Sequence, residues 1–294
     1  MAAQNSYVRG DHLGRIDADI GSINNLSQTR QDIISTDTKM IKVKRTLLEI
    51  INYIAFPFLL IMLWEIFSKL RIFPPAILPS VETLSLTFVD GIKSGEIPQD
   101  LFISLVRVLK GYSIGIILGL LFGVGMGISF KTNKFFTLIF NGIRQIPPLA
   151  WVPLLILWFG IGETSKVVLI AKSSFFPILL NTINGIRNIP QGYLEVAKLY
   201  KIHKIDLVSK VYFPSTIPSV FVGLRLGAGA AWMSVVAAEM IASTSGIGYR
   251  INDARNLMQS DVVLVDMIII GLIGGMMDFG LKYFAKRVSK WESA

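Results

Sequence analysis

Residues 108–129 read VLKGYSIGIILGLLFGVGMGIS, a run in which Lys110 is the only charge. About 20 apolar residues in a helix cross the hydrocarbon core of a bilayer. Backbone groups at that depth find partners only within the segment itself, so the run must be helical. Gly111, Gly115, Gly119, Gly123 and Gly127 recur at every fourth position. At 3.6 residues per turn they form one slowly drifting stripe, a smooth surface that lets a neighbouring helix come close. The stripe predicts packing within the chain.

Five further runs share this character: 47–68, 136–160, 166–186, 217–242 and 262–284. The predicted fold is therefore an all-α polytopic membrane protein with six transmembrane helices. Composition agrees. Hydrophobic residues are 52% of the 294 and charged residues 17%, against about 25% charged in soluble domains. Mean hydropathy is +0.57. The net charge of +9 does not indicate a nucleic-acid partner, because the basic residues flank apolar runs instead of clustering on a polar face. With no Cys and with His only at 12 and 203, outside every run, neither disulfides nor a histidine or thiolate metal cage is expected.

Residues 1–46 are polar, lack the apolar core of a signal peptide, and end in Lys39, Lys42, Lys44 and Arg45. They are expected to form a flexible cytoplasmic tail with a basic flank, followed by a transmembrane domain over 47–290. Basic residues near span ends favour the cytoplasmic side. With the N-terminus inside, the inner segments 39–45, 131–134, 187–210 and 282–294 hold 15 Lys and Arg. The outer segments 69–100, 161–166 and 243–261 hold 6, or 8 with Arg107 and Lys110. Both termini are thus expected in the cytoplasm. The stretch after Pro74, Pro75 and Pro79 is too mixed to span and suits an interfacial helix.

Gln145-Ile146-Pro147-Pro148 and Pro153 must break the hydrogen-bond ladder of the third run. Broken helices at membrane depth occur only against protein or a water-filled cavity, so the third and fourth spans are expected to line a pathway. Charges at that depth are costly and face a partner or a cavity. The candidate lining residues are Arg144, Gln145, Lys172, Ser173, Ser174, Trp232 and Glu239. Lys172 beside two hydroxyls could hold an anion, or its chain could snorkel to the interface. Glu239 is expected to pair with Arg250, Arg255 or Lys172. Trp232 could pack or gate, and Arg225 suits a structural or lipid-facing role. No catalytic cluster of His, Asp and Glu occurs in the runs, which argues against a membrane enzyme. Paired intramembrane acids and matching internal repeats, the marks of a gradient-driven transporter, are not found.

The longest inner segment continues into the fifth run as PQGYLEVAKLYKIHKIDLVSKVYFPSTIPSVFVGLRLG, residues 190–227. Pro190 suits a helix start, Leu194, Ala197, Tyr200 and Lys201 fall near one face, and a second short helix over 206–213 is expected to end at Pro214. Either the segment lies at the interface or it docks a cytosolic partner. Glu195-Val196-Ala197, with Phe213-Pro214, Pro218 and Gly223-Leu224, resembles the cytoplasmic "EAA" loop of binding-protein-dependent ABC importer permeases. IPPLAWVPLLILWFGIG (146–162), FFPILLNT (175–182) and SGIGY (245–249) are similar to the nitrate/sulfonate/taurine branch of that family, and the similarity runs through nearly all of 47–290. Two departures stand out: Val196 where the triplet has Ala, and Lys201 where a bend-forming Gly is usual.

The resemblance implies a type I ABC importer permease fold, with 187–216 as the coupling loop carrying Glu195, Val196, Ala197, Tyr200, Lys201 and Pro214. It implies a location in the bacterial inner membrane. It also implies a second copy of the chain, two ATP-binding subunits that use ATP and Mg, and an extracytoplasmic solute-binding protein, with membrane lipid around them. The chain itself is expected to be no enzyme and to hold no cofactor. Its nearest approach to a phosphate-binding loop, Gly160 to Lys166, lacks the second Gly. Taurine or an alkanesulfonate is the first expected substrate, nitrate or bicarbonate the second, and a pyrimidine or other organic solute the third.

Overall fold

The computed structural model describes residues 55–288, apart from the side chain of Lys204. The predicted tail and its basic flank lie outside these residues. The described residues fall into two units that divide after Leu70. In the first, α1 covers 55–69, where Lys69 pairs with Glu65 one turn earlier at 3.1 Å. The first predicted span begins outside the described residues.

The second unit consists of helices. After the proline-rich turn comes α2 (Val81–Lys93), whose N-cap Ser80 accepts from the Thr83 amide. It coincides with the predicted interfacial stretch. Then follow α3 (Glu96–Ile128), α4 (Phe130–Gln145), α5 (Pro148–Phe159) and α6 (Glu163–Arg187). The short α7 (Gln191–Leu199) and α8 (Lys204–Leu207) lead through a π-helical turn, Val208–Tyr212, into α9 (Phe213–Ala242). α10 (Ile247–Asn256) and α11 (Ser260–Val288) complete it. No strand occurs among the described residues.

Four of these helices, α3, α6, α9 with its preceding turn, and α11, are long and apolar enough to cross a membrane. The third predicted run is the exception. It is not one straight helix: α4 and α5 meet at 99°. Ile146 precedes a proline and takes the extended conformation (φ −77°, ψ 118°) that this position enforces. The break falls at Ile146-Pro147, while Pro153 sits inside α5.

α6 is the axis of the unit. On one side a Cβ placed on Gly111, Gly115, Gly119, Gly123 or Gly127 would stand 2.0–2.9 Å from Ile170, Ser174, Ile178, Thr182 or Ile186 respectively. The predicted stripe is therefore an intramolecular seam, and the four-residue period of α3 meets the same period in α6 with both chains running in one direction. On the other side Gly223 and Gly227 of α9 approach Ile178 and the α6 backbone in antiparallel sense. Helices in lipid gain no hydrophobic driving force from meeting each other, so close van der Waals contact of this kind is what holds them. Trp232 fills the core beside Val108, Ile170 and Val235, and its indole donates to the Ile270 carbonyl of α11 at 3.0 Å.

α3 begins at Glu96, well before the predicted start at 108. Its 33 residues rise about 50 Å at 1.5 Å each, more than the roughly 30 Å hydrocarbon thickness. The added turns carry Asp100, Ser104 and Arg107, which interrupted the apolar run in the sequence.

Candidate functional site

Three polar features stand out against the apolar bundle. The first gathers the ends of α3, α6 and α9 around Arg107. Its side chain is 4% exposed. Nη1 donates to Glu239 Oε1 at 2.8 Å, and Nε and Nη2 donate to Glu163 at 2.8 and 2.6 Å. Nη1 and Nη2 also reach the carbonyl and hydroxyl of Ser245. Glu239, fully buried, accepts from Ser104 at 2.8 Å and from the Gly248 amide at 3.0 Å. Lys166 closes on Glu163 at 3.3 Å. Two cations and two carboxylates thus balance. The glycines of Ser245-Gly-Ile-Gly-Tyr249 are what let this loop lie on the carboxylate: Gly246 has φ +102°, and a Cβ there would stand 2.5 Å from Glu239 Cδ.

The expected partners of Glu239 are therefore corrected. Arg107 takes the role foreseen for Arg250, Arg255 or Lys172. Arg250 instead reaches buried Asp266 of α11 at 3.1 Å and Glu96 at 3.5 Å. Asp100 accepts from the Gly246 amide at 2.7 Å. Glu96, Asp100, Ser104 and Arg107 stand one turn apart along α3 and together hold α10 and the loop before it. In the sequence Arg107 stands at a span edge with no partner evident. The signal available was the complementary charge of Arg107, Glu163 and Glu239 at the ends of three runs.

The second feature is the α4–α5 bend. Lys172 of α6 donates from Nζ to the Ile146 carbonyl at 2.9 Å and lies over the Trp151 ring, 5.1 Å from its centroid. Arg144 and Gln145, immediately before the bend, are exposed. Ser173 and Ser174 are not gathered with Lys172. Both are buried, and their hydroxyls donate to the Leu169 and Ile170 carbonyls one turn back at 2.9 Å. Trp232 lies in the core already described. Arg225 of α9 forms a bidentate pair with Asp278 of α11.

The third feature is the segment 188–212. Ala197 is 4% exposed, whereas Glu195 is exposed and Val196 and Tyr200 are 51% and 79% exposed. α7 ends with Lys201 in the left-handed conformation, φ +51°. The Lys201 amide donates to Lys198 O at 3.0 Å and the Ile202 amide to Ala197 O at 3.1 Å. This pair of bonds is the Schellman C-terminus, normally built on Gly. Lys201 thus makes the bend that the sequence departure put in question. The second expected helix does not end at Pro214. It passes through the π turn and continues into α9 with Pro214 in the first turn. The Phe213 amide bonds to Val208 O in the wider π pattern, just where a proline ring would crowd the carbonyl of residue 210 in a regular helix.

Among the described residues no group of three or more His, Cys, Asp or Glu is arranged to hold a metal ion. The arrangement offers anchored charges, a bent helix pair and an exposed apolar loop.

A family model described as "Binding-protein-dependent transport system inner membrane component" matches residues 115–290. The chain is 39% identical over 258 residues to an ABC transporter permease protein of Methanocaldococcus jannaschii, covering 86% of this chain and 96% of that one. It is 37% identical over 238 residues to the Bacillus subtilis SsuC protein, named as an aliphatic sulfonates transport permease, covering 81% and 86%. Permeases named for taurine (Escherichia coli), nitrate and bicarbonate (both Synechococcus elongatus) match at 30%, 36% and 33% identity. In fold the chain is similar to one from the inward-facing methionine ABC transporter MetNI, with a TM-score of 0.57, 17% identity, and coverage of 63% of this chain and 93% of that one.

Proposed function

The chain belongs to the family of binding-protein-dependent transport system inner membrane components, and from that premise we propose that it is the membrane-spanning permease subunit of an ATP-driven importer for a small anion. The observation that carries the reading is α7. It is a short helix anchored by buried Ala197, yet it leaves Glu195, Val196, Leu199 and Tyr200 exposed. A rigid helix seated in a groove of a cytosolic ATPase converts nucleotide-driven closure into movement of the spans. Glu195, Val196 and Tyr200 supply the docking face, Ala197 the anchor, Lys201 the turn, and Pro214 with its π turn the rigid joint to α9.

Two copies of the chain form the pathway, two ATP-binding subunits beneath them hydrolyse ATP with Mg, and an extracytoplasmic solute-binding protein delivers the substrate. The complex lies in the inner membrane with both termini in the cytoplasm. The Arg107 cluster then occupies the extracytoplasmic end and α7 the opposite one, since α6 runs from Glu163 near the first to Arg187 beside the second. Taurine or an alkanesulfonate is the proposed substrate, supported by the identity to the permease named for sulfonates. Nitrate and bicarbonate come second, because relatives named for them match almost as well.

The test is a complex of this chain with a cognate ATPase and solute-binding protein, reconstituted in lipid. Binding protein loaded with taurine or ethanesulfonate should raise ATP hydrolysis several-fold above the unloaded protein. Hydrolysis unchanged by every loaded ligand would refute the coupling.

A further inference from the structure

The bend between α4 and α5 carries more than a break in a helix. Ile146 is the C-cap of α4, the last carbonyls of a helix lack the amide partners of its interior, and a helix C-terminus attracts a cation. Lys172 supplies it: its ammonium donates to the Ile146 carbonyl at 2.9 Å from a different helix. The same ammonium lies over the Trp151 ring, which belongs to α5. One side chain of α6 therefore touches both arms of the 99° bend. No carboxylate pairs with it among the described residues. Beside it, the Trp151 indole N–H is buried and has no acceptor among the described residues. A buried donor left unpartnered costs free energy and invites an acceptor.

We infer that Lys172 and Trp151 form an anion-binding site that also works as the latch of the bend: the ammonium holds the Ile146 carbonyl when the site is empty and exchanges it for an oxyanion or sulfonate. The ligand class follows from the donors. A cation and an N–H, with no acceptor of their own, fit a small group rich in oxygen and negatively charged. Ser173 and Ser174 take no part, since their hydroxyls are committed to their own helix. The indole N–H is covered in this conformation, so an anion reaches it only as Lys172 lets go and the bend widens. The latch rests on the proposed transport of an anion for its purpose, and on the geometry alone for its existence.

The chain has no Cys, so two labels can be placed cleanly, at Lys131 on α4 and Leu157 on α5, both exposed. The distance between spin labels would be measured on the full chain in lipid nanodiscs, with labelled chain diluted into excess unlabelled chain so that each disc holds one labelled copy, in potassium ethanesulfonate and in the bulky gluconate at equal ionic strength. The wild type should show one main distance that lengthens with ethanesulfonate and not with gluconate. Lys172→Met should populate the longer distance without any anion, and Lys172→Arg should keep the shorter one. Trp151→Phe retains the ring under the ammonium but loses the N–H. It should hold the shorter distance and need about tenfold more ethanesulfonate, the loss expected for one hydrogen bond to a charged group. An unmoved distance in Lys172→Met, a wild type that does not respond to ethanesulfonate, or a Trp151→Phe that responds at the wild-type concentration would each overturn the site. Failure of the transport reading would show separately, as absent ATP-dependent uptake by the wild-type complex.

Discussion

Arg107 and Glu239 lie 132 residues apart in sequence and meet at 2.8 Å with side chains 4% and 0% exposed. Removing one partner leaves the other buried without its counter-charge, which commonly costs about 3–5 kcal/mol. Arg107→Met should therefore lower the thermal midpoint of the detergent-solubilised protein sharply. The double variant Arg107→Met with Glu239→Leu should recover part of the loss, because Glu163 is 57% exposed and can turn to water. Fluorescence-detected size exclusion after heating measures both. A double variant less stable than Arg107→Met would contradict the pairing.

The α3–α6 seam makes a steric prediction. A Cβ on Gly115 would stand 2.0 Å from the Ser174 hydroxyl and 2.9 Å from the Ala171 carbonyl. Gly115→Val should cost about 1–3 kcal/mol by overpacking. Gly125, with open space around its Cβ position, should accept Ala with little change. Thermal midpoints of the two variants decide it, and equal midpoints would remove the seam from the account.

How legible these features were depended on how local their cause is. Four of the spans were visible as apolar runs, and the break at Ile146-Pro147 was visible because a proline restricts the residue before it. The glycine stripe showed that some helix comes close to α3. That this helix is α6 was written only in the matching period of Ile170, Ser174, Ile178, Thr182 and Ile186. The start of α3 was missed because Asp100, Ser104 and Arg107 look like loop residues until their partners on α6, α9 and α10 are known. α10 was missed altogether, since a short polar helix held by side chains from elsewhere has no apolar period of its own. Of the expected pathway residues, Arg144 and Gln145 sit exposed beside the bend, Lys172 spans it, and Ser173, Ser174, Trp232 and Glu239 are buried in helix contacts.

Lys201 occupies a backbone conformation that costs an L-residue about 1–2 kcal/mol and glycine almost nothing. Lys201→Gly should stabilise the end of α7. Hydrogen exchange at the Lys201 and Ile202 amides, which make the terminal bonds, should slow by roughly fivefold, equivalent to about 1 kcal/mol. Lys201→Ala controls for the lost charge and should not slow it. Faster exchange in the Gly variant would mean the turn is held by the lysine side chain.

The proposed docking face of α7 can be tested without disturbing the fold, because Glu195 and Tyr200 are exposed while Ala197 is buried. Glu195→Lys and Tyr200→Asp should leave the wild-type thermal midpoint in place and abolish stimulation of ATP hydrolysis by loaded binding protein. Core residues of such contacts commonly cost about 2 kcal/mol or more when damaged. Ala197→Asp should instead unfold the segment itself, as a buried carboxylate lacks partners there. Full stimulation in both surface variants would move the docking site elsewhere.

In the proposed function this chain conducts an anion at the expense of ATP. Proteoliposomes holding the chain with its ATPase, supplied with loaded binding protein on one face and ATP on the other, would be assayed for labelled taurine or ethanesulfonate. Labelled substrate should accumulate against a gradient, stop accumulating when ATP is omitted, and keep accumulating when ionophores collapse the ion gradients. Accumulation that continues without ATP and disappears with the ionophores would contradict it.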